Sequence, residues 1–139
     1  MSNPNIKTQI IVTNSVYKTS SLGFSQAVVA NGFVFISGQV GWDTSYNLIG
    51  NGDFKAQAKQ CFKNLEQILK AANSSMQEVV HLRIFVTEMT EENKLIIANL
   101  LKLNYPNIYK PATTLLCVKA LARESLKIEM ETISNASNK

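Results

Sequence analysis

A chain of 139 residues has room for one hydrophobic core, and 45% hydrophobic with 17% charged residues is the balance of a globular domain rather than a disordered one. The net charge of +4 comes from scattered lysines, with Arg83 and Arg123 the only arginines, so the clustered basic stripe of a nucleic-acid binder is missing. No basic stretch at MSNPNIKTQI leads into an apolar run, and no apolar stretch approaches a membrane span. Cys61 and Cys117 have no metal-type spacing and only His81 could join them, so no metal, cofactor or disulfide framework is expected. A reducing cytoplasm is the simplest home.

In chain order, the first readable element is a hairpin. The segment QAVVANGFVFIS, from Gln26 to Ser37, sets two β-rich runs around Asn31-Gly32, the pair a type I′ turn favours because both central residues take positive φ. Gly38 to Trp42 then reads as leaving the strand for a polar loop that runs through Asn51-Gly52. From Asp53, a capping residue, Phe54, Ala58, Cys61, Phe62, Leu65, Ile68, Leu69 and Ala72 recur on one face of a helix of about five turns. Asn73 suits the left-handed position at its end.

Val79 to Val86 reads as a strand with Val80, Leu82, Ile84 and Val86 on one face and His81, Arg83 and Phe85 on the other. Thr90 caps a second helix whose stripe is Leu95, Ile96, Leu100 and Leu103, and Pro106 stops it. Two strands remain, Thr113 to Val118 and Leu126 to Ile133, joined by a loop carrying Ala122-Arg123-Glu124; the tail from Asn135 is polar enough to fray. The order is hairpin, helix, strand, helix, strand, strand over one domain, 1–139: an α+β chain with one sheet covered on one face by two helices. The uncovered face, with residues such as Leu115 and Phe85, then needs a partner.

The common catalytic constellations are missing: no phosphate-cradling glycine loop, no nucleophile elbow, no second histidine. Cys61 falls in the apolar stripe of its helix and reads as core. Glu129 and Glu131 alternate with Ile128 and Met130, which places the two carboxylates on one face about 7 Å apart. If buried they would raise one another's pKa; if solvated they would pair with lysine.

Several segments together carry a resemblance: Phe33-Val34-Phe35-Ile36-Ser37-Gly38-Gln39-Val40, Gln57 and Asn64, Arg83-Ile84-Phe85-Val86-Thr87, Pro111-Ala112-Thr113-Thr114, and Lys127-Ile128-Glu129-Met130-Glu131. In their order and spacing, from about Gly23 to Ile133, they resemble the Rid (reactive intermediate deaminase, YjgF, or endoribonuclease L-PSP) family. The resemblance implies a chorismate-mutase-like fold, a homotrimer with helices outside, and clefts between subunits that hold a small metabolite. It implies imine or enamine hydrolysis with release of ammonia. Glu129 matches the glutamate that positions water, Ser37 and Gly38 match the cleft-lining pair, and Phe24 and Leu115 fall at cleft positions, Phe24 where active members commonly have tyrosine.

Thr113 stands where the resemblance places a substrate-binding arginine. Losing a charge-assisted pair to a carboxylate costs roughly 1.5–3 kcal/mol, so binding of amino-acid-derived imines would weaken at least tenfold unless Lys110, Lys119 or Arg123 supplies another cation. Two further readings follow: a non-catalytic metabolite-binding trimer, and RNA cleavage, the old family label, which a lone histidine and scattered lysines support little.

Overall fold

The computed structural model describes residues 8–136. Its strands are β1 (Thr8–Ile11), β2 (Ala27–Ala30), β3 (Phe33–Gln39), β4 (Val79–Val86), β5 (Ala112–Cys117) and β6 (Ile128–Asn135), with helices α1 (Phe54–Ala71) between β3 and β4 and α2 (Glu91–Asn104) between β4 and β5. They form one mixed sheet in the order β1-β2-β3-β6-β4-β5, in which only the β4–β5 pair is parallel.

The β2–β3 hairpin closes as its turn chemistry dictates. Ala30 pairs with Phe33, and Asn31 and Gly32 take φ of 51° and 80°. β3 runs two residues further than expected, to Gln39, because a bulge between Ile36 and Gln39 lets it stay paired with β6. The added strand β1 was not legible as an element; it pairs along β2 from Thr8↔Ala30 to Ile11↔Ala27. Where the tail was expected to fray, β6 still includes Asn135 and the Ala136 amide donates to the Gly32 carbonyl; residues 137–139, like 1–7, lie outside the described residues.

Asp53 accepts a hydrogen bond from the Ala56 amide to start α1, and Asn73 takes φ of 55° after its end. The expected stripe is buried: Ala58, Cys61, Leu65, Ile68 and Leu69 are inaccessible, and α1 lies across β3 and β6. Each fully buried Leu or Ile contributes roughly 1.5–3 kcal/mol, so this helix dominates the core. Gln57 and Asn64, polar but buried in the same helix, hold loops instead of packing.

α2 departs from its expected stripe. Thr90 does cap it, accepting from the Asn93 amide, but Leu95 and Leu103 are 62% and 72% exposed, while Ile97, not in the stripe, is 2% exposed beside Leu100. The helix touches α1 along a narrow strip, so only part of its apolar surface finds cover. Val80 is also misplaced in the expected alternation: a register shift between Val79 and His81 buries Val79 and turns Val80 outward.

The register assigns the sheet faces. Leu82, Ile84 and Val86 pair with Thr132, Met130 and Ile128 of β6, and with Thr113, Leu115 and Cys117 of β5. Directly paired residues share a face, so Thr113 and Leu115 lie on the helix side. The expectation that Leu115 belongs to the uncovered face is therefore overturned; Leu115 packs against the core, and Leu116, paired with Phe85, is the residue that faces outward. Phe33, Phe35, Ile133, Phe85 and Leu116 give the uncovered face its apolar character, and Glu129 and Glu131 stand among them.

Candidate functional site

The two carboxylates of β6 are in different situations. Glu131 sits opposite Arg83 of β4 and forms an ion pair with it, Arg83 Nε to Glu131 Oε1 at 3.0 Å. The cation is arginine on the neighbouring strand rather than the lysine expected along β6, and at this exposure the pair is worth about 0–1 kcal/mol. Glu129 has neither a hydrogen-bond nor an ion-pair partner among the described residues. Burial raises its pKa, and the Glu131 charge raises it further.

What positions Glu129 is a glycine. Gly38 of β3 lies beside its carboxyl group, and a Cβ at Gly38 would collide with Oε1 and come within 2.8 Å of Cδ. Only a residue without a side chain leaves room for the carboxylate here. The β3 bulge sits at this point, between Ile36 and Gln39.

Around these two residues is a cleft of about 340 Å³. Tyr17, Phe24 and Trp42 supply aromatic walls, Leu22, Val40 and Leu126 supply apolar ones, and Ala122 and Arg123 reach in from the β5–β6 loop. The Tyr17 hydroxyl accepts a hydrogen bond from the Val40 amide (3.3 Å) and donates a long one to the Gly38 carbonyl (3.5 Å); burial pushes its pKa up. Its ring meets Trp42 edge to face at 5.1 Å. Tyr17 was not foreseen as a site residue, because it lies in a stretch with no periodicity and reaches Gly38 only through tertiary folding.

Polar side chains buried behind the cleft fix its walls. Gln26 clamps the approach to Tyr17, accepting from the Thr13 amide and donating to the Thr13, Val16 and Tyr17 carbonyls. Asn64 of α1 donates to the Val40 and Trp42 carbonyls, both at 3.0 Å. Gln57 donates to the Gly50 and Ser125 carbonyls and accepts from the Lys127 amide at 2.9 Å, tying the β5–β6 loop to α1.

The expected site residues thus divide. Glu129, Gly38 and Phe24 line one cleft, and Arg123 joins them. Ser37 does not line it; its hydroxyl donates to the Ser25 carbonyl at 2.6 Å and its amide to the Gln26 carbonyl, so it holds the segment carrying Phe24 against β3. Thr113 belongs to a second cleft of about 320 Å³ with Tyr105, Lys110 and Pro111 and the last turns of α2, and its hydroxyl donates to the Pro111 carbonyl. Leu115 lies on the same side of the sheet as Thr113, so within one chain neither meets Glu129. Lys110 donates to the Tyr105 carbonyl, and Lys119 is exposed. His81 pairs with Ile133, four residues along β6 from Glu129. Cys61 is inaccessible, and burial raises its thiol pKa, as core packing requires.

Among the described residues there is no cluster of metal-ligating side chains, and no helix is long and apolar enough to cross a membrane. The sequence model of the endoribonuclease L-PSP family matches residues 13–136. A RutC family protein of Pyrococcus horikoshii is 33% identical over 111 residues, covering 80% of this chain and 85% of the relative. The human 2-iminobutanoate/2-iminopropanoate deaminase is 33% identical over 113 residues, covering 80% and 78%. Among solved structures, yeast Mmf1 superposes with a TM-score of 0.86 at 26% identity over 94% of this chain and 100% of that one. RidA of a Psychrobacter species superposes at 0.81 with 30% identity over 91% and 98%. With the family's sequence pattern running from Thr13 to Ala136 and its fold reproduced around the Glu129 cleft, the chain belongs to the endoribonuclease L-PSP family, the Rid/YjgF proteins.

Proposed function

We propose that this protein hydrolyses an imine or enamine of a small metabolite to a carbonyl compound and ammonia, with Glu129 as the group that takes the proton of the attacking water. The observation that carries this reading is the Glu129 carboxylate itself: unpartnered, partly buried, raised in pKa and held in a cleft beside Gly38. A carboxylate whose pKa is raised toward the working pH is a stronger base, which suits proton transfer. The human relative's name, an iminobutanoate and iminopropanoate deaminase, supports the same chemistry.

The step balances without a cofactor. Water adds to the carbon of the protonated imine as one water proton passes to Glu129, and the C=N π pair moves onto nitrogen to give a neutral carbinolamine. Glu129 returns that proton to the nitrogen, the C–N bond breaks, and ammonia leaves as the hydroxyl gives its proton back to Glu129 and the carbonyl forms; ammonia then carries that proton away as ammonium. The uncovered sheet face, with Phe33 and Phe35 41% and 45% exposed, supports assembly as a homotrimer, in which a neighbouring copy would close each cleft.

One observation favours a second reading. Thr113, where the resemblance places the family arginine, has its hydroxyl bound to the Pro111 carbonyl, which supports a site without a cation at that strand position, as a binding protein for a neutral metabolite would require. RNA cleavage is supported least, because the Glu129 cleft contains no histidine to act with it.

Ammonia release from 2-iminobutanoate and 2-aminoacrylate generated in situ tests the proposal. The wild type should turn over and Glu129→Ala should lose on the order of a hundredfold or more in rate. No turnover of carboxylate-bearing or neutral imines by the wild type removes the catalytic reading; activity appearing only in Thr113→Arg identifies the native cleft as a binding site for another ligand.

A further inference from the structure

Arg123 stands where two hollows meet. The Glu129 cleft shares Leu22, Trp42 and Arg123 with a neighbouring hollow of about 310 Å³ that continues over Tyr46, Leu48 and Ser125. The floor between them is aromatic: Trp42 lies edge to face with Tyr17 at 5.1 Å and with Tyr46 at 5.9 Å, and its carbonyl is held by Asn64. These contacts fix the indole before any ligand arrives.

The loop that bears Arg123 is anchored on its far side. The Leu126 amide donates to the Arg123 carbonyl at 3.1 Å, Leu126 is 1% exposed, and Gln57 grips Ser125 and Lys127. The guanidinium itself forms no ion pair among the described residues: Glu131 is taken by Arg83, and no nitrogen of Arg123 lies within 4.0 Å of Glu129. A planar, permanently charged group thus faces a mostly apolar cleft with its donors free, the arrangement that recognises a carboxylate.

Size adds the second half of the argument. Clefts of about 300–1,000 Å³ are those that take drug-sized ligands, and here two hollows join over one indole. A three- or four-carbon acid would leave the Trp42 floor uncovered.

We infer that Arg123 is the carboxylate anchor of this cleft, taking over from the β5–β6 loop the charge that Thr113 does not supply, and that the ligand is a 2-imino or 2-oxo acid with a ring-sized apolar side chain lying on Trp42. The inference deepens the proposed function by naming its substrate class, and it rests on the same cleft but not on turnover.

Calorimetric binding separates the two. The probes are phenylpyruvate, 2-oxobutanoate and phenylacetone, the last lacking the carboxylate, with the wild type, Arg123→Ala, Arg123→Lys and Trp42→Leu. Phenylpyruvate should bind the wild type at least tenfold more tightly than 2-oxobutanoate. Arg123→Ala should weaken both acids at least tenfold and leave phenylacetone unchanged, Arg123→Lys should recover part of the loss, and Trp42→Leu should erase the preference for the ring. Arg123 is exposed on a loop, so its variants fold; circular dichroism checks this for Trp42→Leu, and the Arg123 arm decides if that variant does not fold. Equal binding of both acids by Arg123→Ala and wild type, equal affinity of the wild type for the two acids, or no binding of either at millimolar concentration overturns the inference. Arg123-dependent binding without ammonia release sinks only the catalytic reading, and ammonia release indifferent to Arg123→Ala sinks only this one.

Discussion

At the scale of single residues, the chemistry of the cleft rests on one partly buried carboxyl group that forms no ion pair among the described residues. Because the folded pKa of Glu129 is raised, the folded chain holds that proton more tightly than the unfolded chain, and stability falls as pH rises from the ordinary carboxylate value through the raised one. Glu129→Gln removes this dependence. Thermal denaturation should therefore give a higher Tm for the variant than for the wild type at neutral pH, with the difference closing below about pH 4. Equal melting at both pH values would show that Glu129 is not held in a raised state. Gly38→Ala acts on the same group from the other side: the new methyl takes the space of the carboxylate and pushes this flexible side chain aside, so ammonia release should fall although no catalytic group is removed, while the Tm changes little. The alternation of β6 exposed Glu129 and Glu131 to sequence reasoning, but not which of them Arg83 would neutralise, since that depends on the β4–β6 register.

At the scale of elements, local chemistry and tertiary demand part company where polar side chains are buried. The Asn31-Gly32 turn and the Asp53 and Thr90 caps are decided by neighbours in sequence, and they form as their residues require. Gly32→Val should destabilise by about 1–2 kcal/mol in urea, since φ of 80° forces a β-branched side chain into strain. The buried glutamine of α1 is a stronger test of long-range design. Gln57→Leu keeps the volume but strands the Lys127 amide and the Ser125 carbonyl, while the Gly50 carbonyl keeps its bond from the Asp53 amide; this should cost about 2–4 kcal/mol and loosen the loop that carries Arg123, measured as lower melting and weaker carboxylate binding together. A variant as stable as the wild type would show that water replaces the amide. The α2 stripe misled because helical periodicity marks which residues could be buried; the narrow contact with α1 decides which are.

At the scale of the whole molecule, a sheet with helices on one face presents the other to solvent or to another copy. Phe35 is 45% exposed in the middle of that face, opposite Ile133 of β6, so Phe35→Lys should leave the monomer folded and abolish its assembly. Sedimentation at micromolar concentration reads this directly: the wild type should run as a trimer and the variant as a monomer, and a monomeric wild type would contradict the assembly proposed above.

By itself the sequence determined the hairpin, both helices with their caps, the long strand β4 and the family pattern around Gly38 and Glu129, because turn chemistry, capping and hydrophobic period act over a few neighbouring residues. It also named Arg123 among three spare cations without ranking them. Tertiary structure alone decided that β1 completes the sheet, that Leu115 turns inward, that Thr113 lies across the sheet from Glu129, and that Tyr17, Trp42 and Arg123 share its cleft. Those outcomes depend on strand register and on loops held by Gln26, Gln57 and Asn64, contacts between residues far apart in the chain that no local period encodes.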